Sequence, residues 1–243
     1  MHDKSLREIF PKRLQEQLRS GGKDFINSVG EDMVKEIVFN VLCGQNLRDI
    51  TENLTKKRIS NISTTILSSL IVANSKNPNF ISDLPNLAGK ELKITKNKQE
   101  RWFLLWILGL TEKGFQNILR DKKSNLDEYV RNYNVELNEM TDNTEKQFGK
   151  LSGEIKLNRG SSKMDWKTMI QILGVIGAQT LAIRGSEKST YGKLFEKLIL
   201  GSILSVLGFK HMKEEIYPKN LKNLFWLSER KEKRESDATV LCE

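Results

Sequence analysis

Residues 185–209 read GSEKSTYGKLFEKLILGSILSVLGF, and this stretch decides the fold class. Its apolar residues recur at helical spacing. Ser186 is a residue type that caps helix N-termini, and Gly208 is a residue type that ends helices. We therefore expect a helix over Ser186–Leu207.

The character of the sequence changes after this helix. Asn223–Ser228 and Glu235–Cys242 are short segments with aromatic and β-branched residues, which predicts two strands. The charged segment Glu229–Arg234 lies between them and is expected to form a tight turn. The order helix, strand, strand predicts an α+β fold.

The chain before this segment is predicted to be a helical region. Glu31–Leu42 shows amphipathic helical periodicity, and Glu100–Leu110 is apolar nearly all round, which indicates a buried central helix. We expect Asp83–Lys93 to form a loop. Gly149–Ser162 is rich in Gly and Ser and is the predicted linker between a domain at 1–150 and a domain at 163–243.

Composition limits the classes of partner. The 243 residues carry 40 Lys and Arg against 31 Asp and Glu, a net charge of +9. This excess favours a polyanion such as nucleic acid, although a merely lysine-rich protein would show it too. Two Cys and two His offer no zinc or disulfide framework. We find no signal peptide and no apolar run of the roughly 20 residues that a membrane helix needs, so we expect a cytoplasmic protein without a membrane contact.

Two carboxylates stand out by their positions. Glu196 lies at the border of the apolar residues of its helix, where an unpaired carboxylate is unfavourable, and Asp237 opens the second strand. Each has an ordinary alternative, since Glu196 could be solvated beside Lys193 and Asp237 could be a turn residue. Together, however, their order in the chain is the one that can bring two carboxylates to one sheet edge. Such oxygens bind a divalent cation, usually Mg²⁺.

The segment 185–209, followed by RESDATVL at 234–241, resembles type II restriction endonucleases of the PD-(D/E)xK superfamily, and within it the CfrBI-like family. The resemblance covers roughly residues 165–243. It implies a helix that carries an acid and then a mixed sheet. That sheet has an Asp on its second strand and a (D/E)xK sequence on its third.

The resemblance also implies roles for individual residues. Glu196 is the helix acid, and Asp237 is the central ligand for Mg²⁺. Lys193 can reach a DNA phosphate, and Ser189 is assigned to DNA binding with it. The implied activity is sequence-specific, metal-dependent cleavage of double-stranded DNA in a restriction–modification system.

One part of the superfamily pattern is missing, because no (D/E)xK sequence follows Asp237. A strand that rises about 3.3 Å per residue would place Glu243 roughly 20 Å from Asp237, too far to share a metal ion. The Lys and one acid are therefore not among these residues. We expect a C-terminally truncated chain that does not cut DNA on its own; the alternative is a complete protein whose helices cover the final hairpin.

The segment 33–73 has the spacing of a helix-turn-helix. Its turn would be Thr55-Lys56-Lys57-Arg58, and Ser60–Thr65 would lie at the N-terminus of a helix that meets DNA. We assign Lys56, Lys57 and Arg58 to DNA binding, although a solvated basic loop would have the same composition.

Two other functions remain open at this point. The chain could be a non-catalytic DNA-binding protein that uses residues 33–73 for recognition. It could also be a helical interaction protein without a nucleic-acid partner. For either DNA function, a palindromic recognition site would favour a homodimer.

Overall fold

The computed structural model describes Leu6 and residues 30–120, 125–212, 222–227 and 238–242. They form an α+β fold, as predicted. The helices are α1 (Glu31–Leu42), α2 (Leu47–Lys76), α3 (Phe80–Leu92), α4 (Lys98–Ile107), α5 (Glu112–Arg120), α6 (Leu126–Phe148) and α7 (Trp166–Val206). The strands are β1 (Gly153–Leu157), β2 (Gly160–Met164), β3 (Lys210–His211), β4 (Leu224–Leu227) and β5 (Ala238–Leu241).

The chain divides into two compact units, which we describe separately. The chain passes from one unit to the other after Leu54 and after Arg184. These division points do not coincide with the boundary predicted near residue 150. The domain ranges 1–150 and 163–243 therefore stay predictions.

The first unit has one continuous hydrophobic core. Buried side chains from α2 to α7 contribute to it, and α4 supplies the densest set, because residues 103–107 are all buried. The helix begins after Asn97, whose side chain accepts hydrogen bonds from the backbone N–H groups of Gln99 and Glu100. The prediction of a buried central helix in this segment is confirmed.

The predicted loop at Asp83–Lys93 is wrong, because most of this segment belongs to α3. Leu84, Ala88 and Leu92 follow one another at intervals of four residues and are all buried in the core. Burial of this stripe outweighs the missing backbone N–H of Pro85, which lies inside the helix.

The turn predicted at Thr55–Arg58 is also wrong, because α2 runs without a break through these residues. The helix contains neither Gly nor Pro. Its Ser and Thr hydroxyls bond to carbonyls of the preceding turn: Thr64 Oγ1 donates to Ser60 O at 2.8 Å, and Ser69 Oγ donates to Thr65 O at 2.7 Å. The polar run is thus satisfied within one helix, and residues 33–73 do not form a helix-turn-helix.

The predicted linker at Gly149–Ser162 is replaced by a β-hairpin. β1 and β2 pair in antiparallel register, with Gly153 opposite Met164 and Leu157 opposite Gly160. The sequence was interpreted from its Gly and Ser content, but Gly160 has a packing role. A Cβ on Gly160 would run into the side chain of Ser75 on α2, so this position requires glycine.

The two helices predicted over Asp165–Ile183 and Ser186–Leu207 form the single helix α7. Asp165 caps its N-terminus, since Asp165 Oδ1 accepts a hydrogen bond from Thr168 N at 2.8 Å. Ser186 is therefore not an N-cap, and Gly185 does not interrupt the helix. Gly208, with φ 89°, follows the end of α7 as the sequence predicts.

The second unit contains a three-stranded mixed sheet in the order β3-β4-β5. β4 and β5 lie within the two predicted strands and pair antiparallel, with Leu227 opposite Ala238 and Leu224 opposite Leu241. β3 pairs parallel to β4 and was not predicted. The predicted α+β class with a mixed sheet after the helix is confirmed, with β3 as an additional strand before the two predicted ones. The predicted turn at Glu229–Arg234 lies outside the described residues.

Candidate nuclease site and basic hairpin

Glu196 lies on the part of α7 that belongs to the second unit. Its neighbour Phe195 is completely buried and packs with Val34 and Ile37 of α1 in a small core. Glu196 itself is partly exposed. This position at the edge of an apolar cluster is the one predicted from the helical periodicity.

Asp237 lies outside the described residues, but its neighbour Ala238 is the first residue of β5. Ala238 is opposite Leu227, and Leu227 Cδ1 is 3.5 Å from the position that a Cβ on Gly201 would take. Helix α7 therefore packs at Gly201 beside the end of β4 where β5 begins. This end of the sheet is where the chain enters from Asp237.

The relation of Glu196 to Gly201 follows from helix geometry. The two residues are five positions apart, which corresponds to about 7.5 Å along the axis and about 140° around it. Glu196 thus lies more than one helical turn before Gly201, on a different side of the helix.

The other predicted contact residues lie on helices. Ser189 and Lys193 belong to α7, and their side chains are outside the described set. Lys56 and Lys57 are exposed on α2, and Arg58 is half-buried there. The helix-turn-helix that was expected to present these three residues is absent, so they are cations on the side of a helix.

No group of three or more His, Cys, Asp or Glu side chains suited to a metal ion occurs within the described ranges, which exclude Asp237. None of the helices in those ranges combines the length and apolar composition needed to cross a bilayer.

A basic surface that the sequence analysis missed lies on the β1–β2 hairpin. Lys156, Arg159 and Lys163 are exposed there. Glu154 is the one acid among residues 153–164, and its Oε2 is 3.1 Å from Lys156 Nζ. Hydrogen bonds from Ser161 and Lys156 lower the pKa of Glu154, so it is ionised at neutral pH.

A sequence signal for this surface exists. Charged and less polar residues partly alternate in two short segments, Glu154-Ile155-Lys156 and Ser161-Ser162-Lys163-Met164, as expected for strands with one buried face. Between them, Asn158-Arg159-Gly160 has the composition of a turn. The glycine and serine content of residues 149–162 indicated a linker and masked this alternation.

Comparison with known proteins identifies the family. The family model described as CfrBI restriction endonuclease matches residues 31–243. The type II restriction enzyme CfrBI of Citrobacter freundii is 32% identical over 238 residues, which cover 97% of this chain and 64% of that enzyme. No solved structure matches the chain. The predicted resemblance is confirmed at the level of the family: the chain belongs to the CfrBI restriction endonuclease family.

Proposed function

We propose that this chain acts in sequence-specific cleavage of double-stranded DNA as a type II restriction endonuclease. The family match over residues 31–243 carries the proposal, because it includes both Glu196 and Asp237. The chain spans 64% of the length of the CfrBI enzyme, so the activity of that whole enzyme is a proposal for this chain.

The second unit supports this function through its mixed sheet. Helix α7 packs beside the end of β4 at Gly201, and β5 begins next to that end. Asp237 precedes β5 by one residue. The PD-(D/E)xK resemblance implies an Asp on the second strand of such a sheet, whereas Asp237 precedes β5, the third strand along the chain, because β3 adds a strand before the two predicted ones.

We further propose that Asp237, with Glu196, holds Mg²⁺. The donor set fits this ion, because carboxylate oxygens are the ligands that hard divalent cations prefer. When bound, such an ion activates a water and stabilises charge on a phosphodiester. Glu196 is partly exposed at the border of the small core. Ser189 and Lys193 would contact DNA from the same helix.

The basic residues of α2 would contact the DNA backbone. Lys56 and Lys57 are exposed, and Arg58 lies next to them on the helix. These are phosphate contacts, which position the protein without reading sequence. We propose that the protein acts on DNA in the cytoplasm, and that a homodimer forms where the recognition site is palindromic.

A selection from a pool of random duplexes tests DNA recognition. We expect the purified chain to enrich one short sequence in the presence of Mg²⁺, and a pool that stays random after repeated rounds would overturn the proposal. Digestion of plasmid DNA is followed in parallel. Binding is the primary readout, because it reports recognition separately from cleavage.

Isothermal titration with Mn²⁺ or Mg²⁺ separates a nuclease from a DNA-binding protein without catalysis. We expect Asp237→Ala to abolish metal binding and Glu196→Gln to weaken it less. Asp142→Ala, at an exposed acid of α6, is the control that should leave it unchanged. Equal metal binding by the wild-type and Asp237→Ala proteins would reject the metal site and favour the non-catalytic function.

A further inference from the structure

The β1–β2 hairpin has two chemically different faces. Ser162 and Met164 are buried, and Ile155 packs against the core of the first unit. Lys156 and Lys163 alternate with these residues along the strands and are exposed. One face of the ribbon is thus part of the protein interior, and the other presents cations to solvent.

The hairpin is fixed to the first unit at both ends. Buried Asn74 of α2 donates from Nδ2 to Ser162 Oγ at 2.7 Å. At the base, Trp166 Nε1 donates to Gly149 O at 2.7 Å and so joins the residues on either side of the hairpin. At the turn, Gly160 packs closely on Ser75. The exposed face is therefore held in a defined position.

The exposed face has the chemistry of a polyanion contact. Its cations are Lys156 and Lys163 on the strands and Arg159 in the turn. Lys156 is paired with Glu154, and both side chains remain substantially exposed. The preceding helix α6 contrasts with this surface, since six of its residues are acidic and two are basic.

We propose that the outward face of the β1–β2 hairpin is a contact surface for double-stranded DNA. The inference rests on the proposed function and adds a binding element to it. A two-stranded ribbon is narrow enough to lie in the major groove. Lys156 and Lys163 bind the phosphates on either side. Of the turn residues, Asn158 carries the donor and acceptor that read an adenine edge, and Arg159 carries the donors that read a guanine edge.

The test measures the salt dependence of binding to a random-sequence duplex of about 30 base pairs. Replacing Lys156, Arg159 and Lys163 by Gln should reduce the slope of log affinity against log salt by about 1.8, because Lys156 and Lys163 each supply one phosphate contact worth about 0.9. Affinity at about 0.1 M salt should fall roughly tenfold or more. Glu154→Gln should act in the opposite direction and tighten binding, because it removes a negative charge that faces the DNA.

The matched control replaces Lys90, Lys113 and Lys146 by Gln. These residues are exposed on α3, α5 and α6, and their replacement removes the same total charge as the hairpin variant does. Equal losses in slope and affinity for the two triple variants would overturn the hairpin surface and leave the proposed function intact. Absence of DNA binding by the wild-type chain would overturn both. Unfolding curves that coincide with the wild type show that the hairpin variant is folded.

Discussion

The two compact units differ in how much apolar surface they bury around one centre. The first unit has a continuous core to which six helices and the hairpin contribute. Among the described residues of the second, the cluster around Phe195 contains two further buried residues, Val34 and Ile37, with partly buried neighbours around them. The residues that carry the family resemblance, Glu196 and Asp237, belong to the unit with the smaller cluster.

This difference corresponds to two different requirements of the proposed DNA cleavage. A surface that contacts phosphates must be held in place, and the hairpin has the larger core behind it. Groups that receive a metal ion can lie in a region of lower local stability, because ligand-binding segments are commonly drawn from that class and binding itself stabilises the folded state. Four substitutions test whether the two units behave in this way.

The largest expected effect is at Phe195, which has 0% exposure and lies at the centre of the small cluster. Phe195→Ala should lower the free energy of unfolding by about 3–5 kcal/mol, because it removes a fully buried ring and leaves a cavity beside Val34 and Ile37. Phe39→Ala is the control in the same unit, since Phe39 is 65% exposed. Urea unfolding followed by circular dichroism provides the comparison, and similar losses for both variants would show that this cluster is not the core.

In the first unit, Leu84 has 0% exposure within the large core. Leu84→Ala should cost about 2–5 kcal/mol of unfolding free energy through the cavity that it leaves. Leu181→Ala, at a position that is 70% exposed, should have little effect. If Leu84→Ala lowered the free energy of unfolding by less than Leu181→Ala does, Leu84 would not be part of the core of this unit.

A smaller effect is expected where the hairpin is fixed to α2. Ser162→Ala leaves the buried Nδ2 of Asn74 without its hydrogen-bond acceptor, which should cost about 1–3 kcal/mol. Ser152→Ala, at an exposed position before β1, is the control. Thermal unfolding measures both, and DNA binding should weaken in Ser162→Ala alone if the hairpin is held in place for that purpose.

The smallest effect is a pH dependence of the first unit. Burial, followed by the nearby Tyr133 and Glu136, raises the pKa of Tyr129 to about 12. The phenol ionises near pH 10 in the unfolded chain, so the unfolded state loses its proton first and stability should fall as the pH rises from about 10 to about 12. Tyr129→Phe should lack this part of the fall. Absorbance titration of the phenols, with urea unfolding at each pH, measures it, and a Tyr129 that ionises near pH 10 would contradict its burial.

The elements that were predicted correctly are those whose signal lies within their own residues. Strands β4 and β5 follow from short apolar segments, and α4 follows from a nearly continuous apolar run that begins after the cap Asn97. The metal role of Asp237 followed from resemblance, and the family match supports the resemblance without testing the role.

Tertiary contacts decided the elements that were predicted wrongly. Helices α2 and α7 run through Thr55–Arg58 and Ser186, although the local sequence there carries signals for a turn and a cap. The hairpin was missed because Ser162 and Gly160 contact Asn74 and Ser75, which are more than eighty positions away in sequence. Composition in a short window carries no information about such partners.

The most direct test of the account is a gel-shift titration of the wild-type chain with duplex DNA over a range of salt concentrations. We expect log affinity to fall linearly and steeply with log salt, since Lys and Arg side chains displace counterions from the phosphates. Affinity that does not change with salt would contradict a DNA-binding function for this chain, whatever family its sequence belongs to.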